Sequence, residues 1–298
     1  GYQTQNSADE GHASSDYHRT SNVNLGLRAS YNYDHKYYAD FSGAFIHSAK
    51  LPEGNRNAFS PSVTLGWRLS KEKFMENATF IDDLKVTGSY AKLHQGLDIS
   101  DYYMYKGYFY DRGSRWEWND GTVGVTSIGS KRVDNPDLDF ITREEIRVGF
   151  DATLFKQLLR VNANYFTNTT KGLLTQGAST YYPSFFNVSS DVSFLPWINY
   201  NQDKRSGFDF TLSANKKFGD WDVNLGFNGM VFTSKALKRE EVANEDYLLR
   251  QGRALDVNYG YVCEGFFKDD ADIEGHAKQT FGTVRPGDLK YKDINGDG

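Results

Sequence analysis

Only one cysteine, Cys263, occurs in the 298 residues, so the chain can form no internal disulfide and no thiolate metal cluster. Standing alone in a stretch that reads as a strand, it has the character of a small apolar residue. Also missing is any run of about 18 consecutive apolar residues, which excludes a membrane-spanning helix and leaves any spanning to strands. There is no surplus of positive charge: 34 Lys and Arg face 39 Asp and Glu, for a net charge of -5. A chain of that balance has no overall basic field for collecting phosphates, which sets nucleic acid aside as a partner. Catalytic signatures are lacking as well. The six histidines, His12, His18, His35, His47, His94 and His276, are scattered, and no nucleophile elbow, phosphate-cradling glycine loop or H-E-x-x-H spacing occurs. Glu144 and Glu145 cannot serve as a facing acid pair, because neighbours on a strand point to opposite faces. The chain is expected not to be an enzyme.

What is present is a high aromatic content, 20 Tyr and 21 Phe, inside a sequence of polar average, with a mean hydropathy of -0.64. That pairing suits strands with one greasy and one wet face. From Ser21 to Tyr33 the odd positions Val23, Leu25, Leu27, Ala29, Tyr31 and Tyr33 alternate with Asn22, Asn24, Gly26, Arg28, Ser30 and Asn32. This period-2 pattern lasts about as long as the roughly 9 to 11 residues a tilted strand needs to cross a bilayer. After Asp34-His35-Lys36 a second strand carries Tyr37, Ala39, Phe41, Gly43 and Phe45 on one face. Further segments follow at Val63 to Leu69, Leu84 to Tyr90, Ile146 to Ala152, Leu159 to Tyr165, Phe208 to Ala214 and Trp221 to Val231, with a less regular ninth at Val257 to Phe267.

The connections alternate in length. Short or moderate ones are expected at 34–36, 70–83, 154–158 and 217–220, and longer ones at 47–60, 92–142, 168–204 and 234–256. In an up-and-down sheet this puts every long loop at one end, the asymmetry of outer-membrane barrels with their short periplasmic turns and long extracellular loops. The expected fold class is all-β, an antiparallel up-and-down transmembrane β-barrel. A sheet of about nine strands needs further strands to close. Gly1 follows no signal peptide and Asp297-Gly298 stops within a loop motif, so the chain is expected to be an internal segment of something longer.

Several segments, in this order, resemble the barrel of SusC/RagA-like TonB-dependent transporters. They are Phe59 to Leu69 (FSPSVTLGWRL), Ile81 to Tyr90 (IDDLKVTGSY), Asn135-Pro136-Asp137-Leu138, Ile146 to Asp151 (IRVGFD), Lys171-Gly172-Leu173-Leu174, and Pro286 to Gly298 (PGDLKYKDINGDG). Asp139-Phe140 stands where the family usually has Trp-Glu, Ser206 to Asp209 replaces an Asn-x-Gly-x-Glu-like run, and Lys92 to Gln95 lacks the usual glycine-rich turn. The resemblance implies that residues 1–298 belong to a barrel of roughly 22 strands, whose plug, TonB box and C-terminal strands lie outside this segment. It implies a multi-pass outer-membrane location in a Gram-negative bacterium, contact with outer-membrane lipid, a SusD-like lipoprotein partner, and TonB acting through the N-terminal region. The implied function is import of an oligosaccharide or peptide, glycan ahead of peptide. A passive porin or structural surface barrel is the alternative, and a soluble carbohydrate-binding β-protein a third class.

Two aromatic clusters fall in the long connections. The first is Tyr102, Tyr103, Tyr105, Tyr108, Phe109, Tyr110, Trp116 and Trp118; the second is Tyr181, Tyr182, Phe185, Phe186 and Trp197. Rings at such density can pack against a partner or neighbouring loops, sit in an interfacial girdle, or stack on substrate. Asp293, Asn295 and Asp297 place oxygen ligands at alternate positions with Gly296 between them, matching the first half of a Ca2+ loop. An Asx-rich turn is the other reading. No other cofactor is implied.

Overall fold

The computed structural model describes residues 2–7, 18–96, 99, 103–116, 125–177, 183, 186–189, 192–241, 243, 246–294, 296 and 298. In chain order its strands are β1 (Tyr2–Ser7), β2 (His18–Tyr33), β3 (Tyr37–Ser48), β4 (Asn57–Arg68), β5 (Ile81–Gln95), β6 (Tyr108–Trp116), β7 (Val125–Arg132), β8 (Ile141–Leu154), β9 (Leu159–Gln176), β10 (Asn187–Ser189), β11 (Val192–Ser193), β12 (Trp197–Phe218), β13 (Trp221–Lys238), β14 (Cys263–Phe266) and β15 (Leu289–Tyr291). One short helix, α1, spans Asp270–Glu274. Nine strands form a single antiparallel sheet in the order β1-β2-β3-β4-β5-β8-β9-β12-β13, while β6 with β7, β10 with β11 and β14 with β15 are separate hairpins. The chain divides into two compact units, 1–255 and 256–298.

Eight of the strands read from the alternation lie in this sheet, but the ninth does not. Within 257–267 only Cys263–Phe266 is a strand, and it pairs with Leu289–Tyr291 inside the second unit. Val257, Tyr259 and Tyr261 alternate like a strand, yet they form no ladder. The ninth strand of the sheet is instead β1, whose sequence YQTQNS has no apolar alternation to reveal it. Several strands also run beyond their apolar stretches. β12 has 22 residues around the segment read at Phe208 to Ala214. Hydrogen bonding continues there while the greasy face gives way to Thr167, Thr169, Lys171, Ser206 and Lys204, so the backbone ladder outlasts the hydrophobic signal. The connections 92–142 and 168–204 shrink to 96–140 and 177–196, and Trp197 opens a strand rather than lying in a loop. The alternation of lengths fails at one pair, since the connection 69–80 outruns the connection 49–56.

The tightest turns are built on left-handed backbone. Asp34 and His35 have φ of 52° and 50°, Phe155, Lys156 and Gln157 run at 58°, 55° and 67°, and Gly219 at 60°. Such turns match the twist of paired strands and hold the registers on either side. Each residue then keeps its face across the sheet. Tyr33, Tyr37, Trp67, Val86, Phe150, Ala163, Phe210 and Gly229 follow one another as cross-strand partners on one face. Asn32, Tyr38, Gly66, Thr87, Gly149, Asn164, Asp209 and Met230 form the next row, on the other.

The first face stays apolar and uncovered: Leu25, Tyr31, Leu65, Phe208, Leu225 and Val231 are each 59% or more exposed. At about 3.4 Å per residue on a strand tilted by ~40°, the run from Leu25 to Tyr33 rises about 21 Å, close to the roughly 25 Å apolar band of a membrane barrel. No helix is long and apolar enough to cross a membrane among the described residues.

Candidate functional site

On the polar face, charged and amide side chains join neighbouring strands. The Arg28 guanidinium pairs with Asp40 at 2.7 Å, and the Ser30 hydroxyl donates to the same carboxylate at 2.7 Å. Across β8, β9 and β12, Arg147 pairs with Asp209 at 2.6 Å, the Asn164 amide donates to Asp209 at 2.7 Å, and the Asn162 amide donates to Asp151 at 2.5 Å. Gly149 makes room for this: a Cβ there would lie 2.1 Å from the Asn164 side-chain oxygen. The Lys85 ammonium sits 4.3 Å from the centre of the Tyr38 ring. The Arg147 and Asp209 side chains are 44% and 24% exposed, so their pair is worth about 0.2 to 1 kcal/mol. Its larger effect is to fix donors and acceptors on a wettable wall.

At the end of the short turns the apolar face closes in aromatic rings. Tyr33 stacks on Tyr37, Tyr37 on Trp67, and Trp67 meets Phe74 edge-on, while Phe80 packs beside Phe155. Glu72, in the turn below, accepts the Tyr37 hydroxyl at 2.8 Å and the Trp67 indole N–H at 3.1 Å. Those two donors, Trp67 foremost, and nearby Lys36 hold the Glu72 carboxyl below the usual carboxylate range.

At the opposite end the long connections fold into a core of their own. Leu51, Ile99 and Leu138 are 0% exposed there and are joined by Met104 and Phe140, with Ile46, Ala58, Tyr105, Leu174 and Trp197 packed around them. Asn135-Pro136-Asp137-Leu138 ties the loops together. The Asn135 side chain accepts from the Asp137 amide at 3.0 Å and donates to the Trp197 carbonyl at 2.6 Å, and Asn55 donates to the Leu138 carbonyl at 3.0 Å. Asn199 accepts from the Asp139 amide at 2.9 Å and donates to the carbonyls of Asp139 and Gly172. Phe140, one of the departures from the family pattern, is a core residue.

The sequence-predicted aromatics divide accordingly. Tyr105 and Trp197, one from each cluster, meet in this core, which favours loop packing for both. Tyr103 stands edge-on to Tyr105 at 6.2 Å with Lys106 between 5 and 6 Å from both ring centres, and Arg132 lies over Tyr108 at 5.5 Å. Phe109 is 62% exposed. Tyr110 and Trp116 belong to the β6 hairpin strand. Phe186 accepts the Phe194 amide through its carbonyl at 2.7 Å. Tyr102, Trp118, Tyr181, Tyr182 and Phe185 lie outside the described residues. The girdle at the short turns is built instead by Tyr33, Tyr37, Trp67, Phe74, Phe80 and Phe155, whose signal in the sequence is an aromatic beside nearly every short turn.

The unit 256–298 packs Tyr261, Phe281 and Tyr291 together and buries Phe267 beside His276. Lys290 pairs with Asp272 at 2.7 Å, which holds that carboxyl below its ordinary range, helped by the Lys268 amide. The Asp293 carboxylate accepts the Gly296 and Gly298 amides at 2.8 and 2.9 Å. Asn295 and Asp297 lie outside the described residues, and no group of three metal-ligating side chains occurs among those described.

One uncovered apolar face of membrane height, an opposite face of paired polar groups, ring girdles at the short turns and an ordered cap of long loops together define the wall of a transmembrane β-barrel, spanning by strands. Residues 5–288 match the family described as TonB dependent receptor-like, beta-barrel, and the chain belongs to that family of outer-membrane proteins. Among curated relatives it is 24% identical to TonB-dependent receptor P3 of Formosa agariphila, over 96% of this chain and 28% of the relative, and 25% identical to TonB-dependent receptor P26 of the same organism, over 95% and 28%. The chain thus spans little more than a quarter of these relatives. Among solved structures, the RagAB peptide importer in its closed-closed state superposes with a TM-score of 0.64 at 19% identity, over 93% of this chain and 29% of that one. A further structure of the RagAB peptide transporter gives a TM-score of 0.59 at 19% identity, over 74% and 23%. These likenesses agree with the resemblance to SusC/RagA-like transporters read from the motifs.

Proposed function

We propose that this chain forms part of the barrel wall of a TonB-dependent importer of oligomeric nutrients, glycan ahead of peptide, working with a SusD-like surface lipoprotein. The observation that carries the reading is the pairing of a polar wall with an ordered loop cap. Arg28, Arg147, Asn162 and Asn164 offer fixed hydrogen-bonding groups to a hydroxylated or amide-bearing chain passing inside. At the mouth, Tyr103, Tyr108 and the exposed Phe109 offer ring faces for sugars or for a partner. The core around Leu138 gives those loops a stable platform.

The test is uptake by cells whose only importer is the full-length protein. Oligosaccharide uptake that stops when TonB is deleted, together with a lipoprotein recovered in near-equal amount with the detergent-extracted protein, is the expected result. Uptake that persists without TonB would move the assignment to a passive porin. TonB-dependent uptake of peptides alone would keep the mechanism and change the substrate class.

A further inference from the structure

The apolar face ends, toward the long loops, in a row of lysines. Lys92, Glu144, Thr169, Lys204 and Lys235 are successive cross-strand partners across β5, β8, β9, β12 and β13. They share a face with Tyr90, Ile146, Phe208 and Val231, the face assigned to lipid. One row further, Lys171 and Lys238 flank Gln202. Glu144 is the one carboxylate in these two rows, and it is engaged by Lys171 at 2.7 Å. Lys238 lies 3.7 Å from the centre of the Tyr200 ring.

Lys204 and Lys235 are therefore like charges placed directly opposite each other on neighbouring strands, an arrangement that destabilises a sheet unless an anion lies between them. No ion pair joins Lys92, Lys204 or Lys235 to a carboxylate among the described residues. Height matters as much as charge. Between the Val148, Tyr165, Phe208 and Val231 row and the lysines lies a row made of Tyr90, Ile146, Thr167, Ser206 and Thr233. Each two-residue step on a tilted strand climbs about 5 Å, so Lys204 and Lys235 stand about 10 Å further toward the long loops than Phe208 and Val231 on their own strands, the distance from an apolar band to its head groups. Long-loop ends face outward in this class of barrel.

We propose that Lys171, Lys204, Lys235 and Lys238, with Lys92 at the flank, bind the phosphate groups of outer-leaflet lipids. A lipid is favoured over an acidic protein because the cations stand on the same face as the lipid-facing rows, one hydroxyl-bearing row beyond Phe208 and Val231. Their stems lie along that surface while the ammonium groups reach the head groups. This inference rests on the outer-membrane placement and is independent of any nutrient or of TonB.

The experiment titrates the detergent-solubilised full-length protein with a phosphorylated glycolipid and with its dephosphorylated form, reading bound lipid by native mass spectrometry. The wild type should hold the phosphorylated form at least about tenfold more tightly, with the preference shrinking as salt rises. The triple change Lys204→Gln, Lys235→Gln, Lys238→Gln should weaken that binding on the order of a hundredfold, from about fivefold per lysine. Lys85→Gln, on the opposite face, should bind as the wild type does. Heat-modifiable migration on a gel verifies that each variant is folded. Equal binding of both lipids, or undiminished binding by the folded triple variant, would overturn the proposal. Loss of a co-purifying acidic protein with lipid binding intact would overturn it in favour of a protein contact.

Discussion

Leu138→Ala probes the loop cap at its centre. Leu138 is 0% exposed among Leu51, Ile99, Met104 and Phe140, themselves between 0% and 4% exposed, so little room exists for the site to collapse around a smaller side chain. Deleting a leucine from such a position costs about 2.7 to 5 kcal/mol, the lost transfer energy plus the cavity. That cost falls on the cap and not on the sheet, because the residues lining the cavity belong mainly to the connections and strand ends at 46–58, 99–105 and 138–140. The open population of the cap should rise about a hundredfold to a few thousandfold. Hydrogen exchange on the full-length protein measures this directly. Backbone amides that Leu138 orders, such as those of Asn135 and Asp139, should exchange faster by that factor, while those of Val148, Phe150 and Phe210 keep their protection. Unchanged exchange at Asn135 and Asp139 would refute the reasoning, and so would equal loss across the sheet.

Asp209→Asn removes the charge that Arg147 and Asn164 share; at about 1 kcal/mol or less it should leave thermal unfolding nearly unchanged while altering the ion selectivity of the lumen in single-channel recordings. Gly149→Val brings a branched side chain to within 2.1 Å of the Asn164 oxygen and should break the Asn164–Asp209 hydrogen bond, lowering the unfolding midpoint and the yield of folded barrel in a heat-modifiability assay. Glu72 has its folded-state pKa depressed by Trp67 and Tyr37, so its stabilising share is present above the unfolded carboxylate pKa and is lost as pH falls through the folded value. Glu72→Gln should flatten the acid limb of the unfolding curve, read from tryptophan fluorescence. Asp272, depressed by Lys290, gives the unit 256–298 the same sign of acid sensitivity, which Lys290→Gln should reduce.

Much of the sheet was legible because its lipid face imposes a strict period of two. Leu25 to Tyr33 and Ile146 to Ala152 could be placed, face by face, from alternation alone. β1 was illegible for the same reason: its residues Tyr2 to Ser7 carry no apolar partner for a bilayer to select. The upper halves of β9 and β12 look like loop in the sequence because lysine and threonine replace the apolar positions while the backbone keeps its ladder. At Val257 to Phe267, aromatic alternation imitated a strand in a unit that packs Tyr261 against Phe281 and Tyr291 instead. The cap was only half visible. Tyr105 and Trp197 stood out as aromatics, but Leu51, Ile99 and Leu138 are far apart in sequence and meet only through the registers of the strands between them. Asn135-Pro136-Asp137-Leu138 stands out as a motif, whereas Asn199, which bonds the adjoining Asp139, has no local signal. Arg147 and Asp209 were visible as polar positions between apolar ones, with nothing to show that they would pair.

The central claim is that one face of this sheet meets lipid and the other meets the lumen. Single cysteines at Phe208, Asp209, Phe210, Thr211, Leu212 and Ser213, placed in a Cys263→Ser background of the full-length protein, can be spin-labelled and read in native membranes with lipid-soluble oxygen and a water-soluble nickel chelate. The account predicts strict alternation: oxygen reaches labels at 208, 210 and 212, and the chelate favours those at 209, 211 and 213. Chelate access to both sets alike, or no alternation between them, would contradict it.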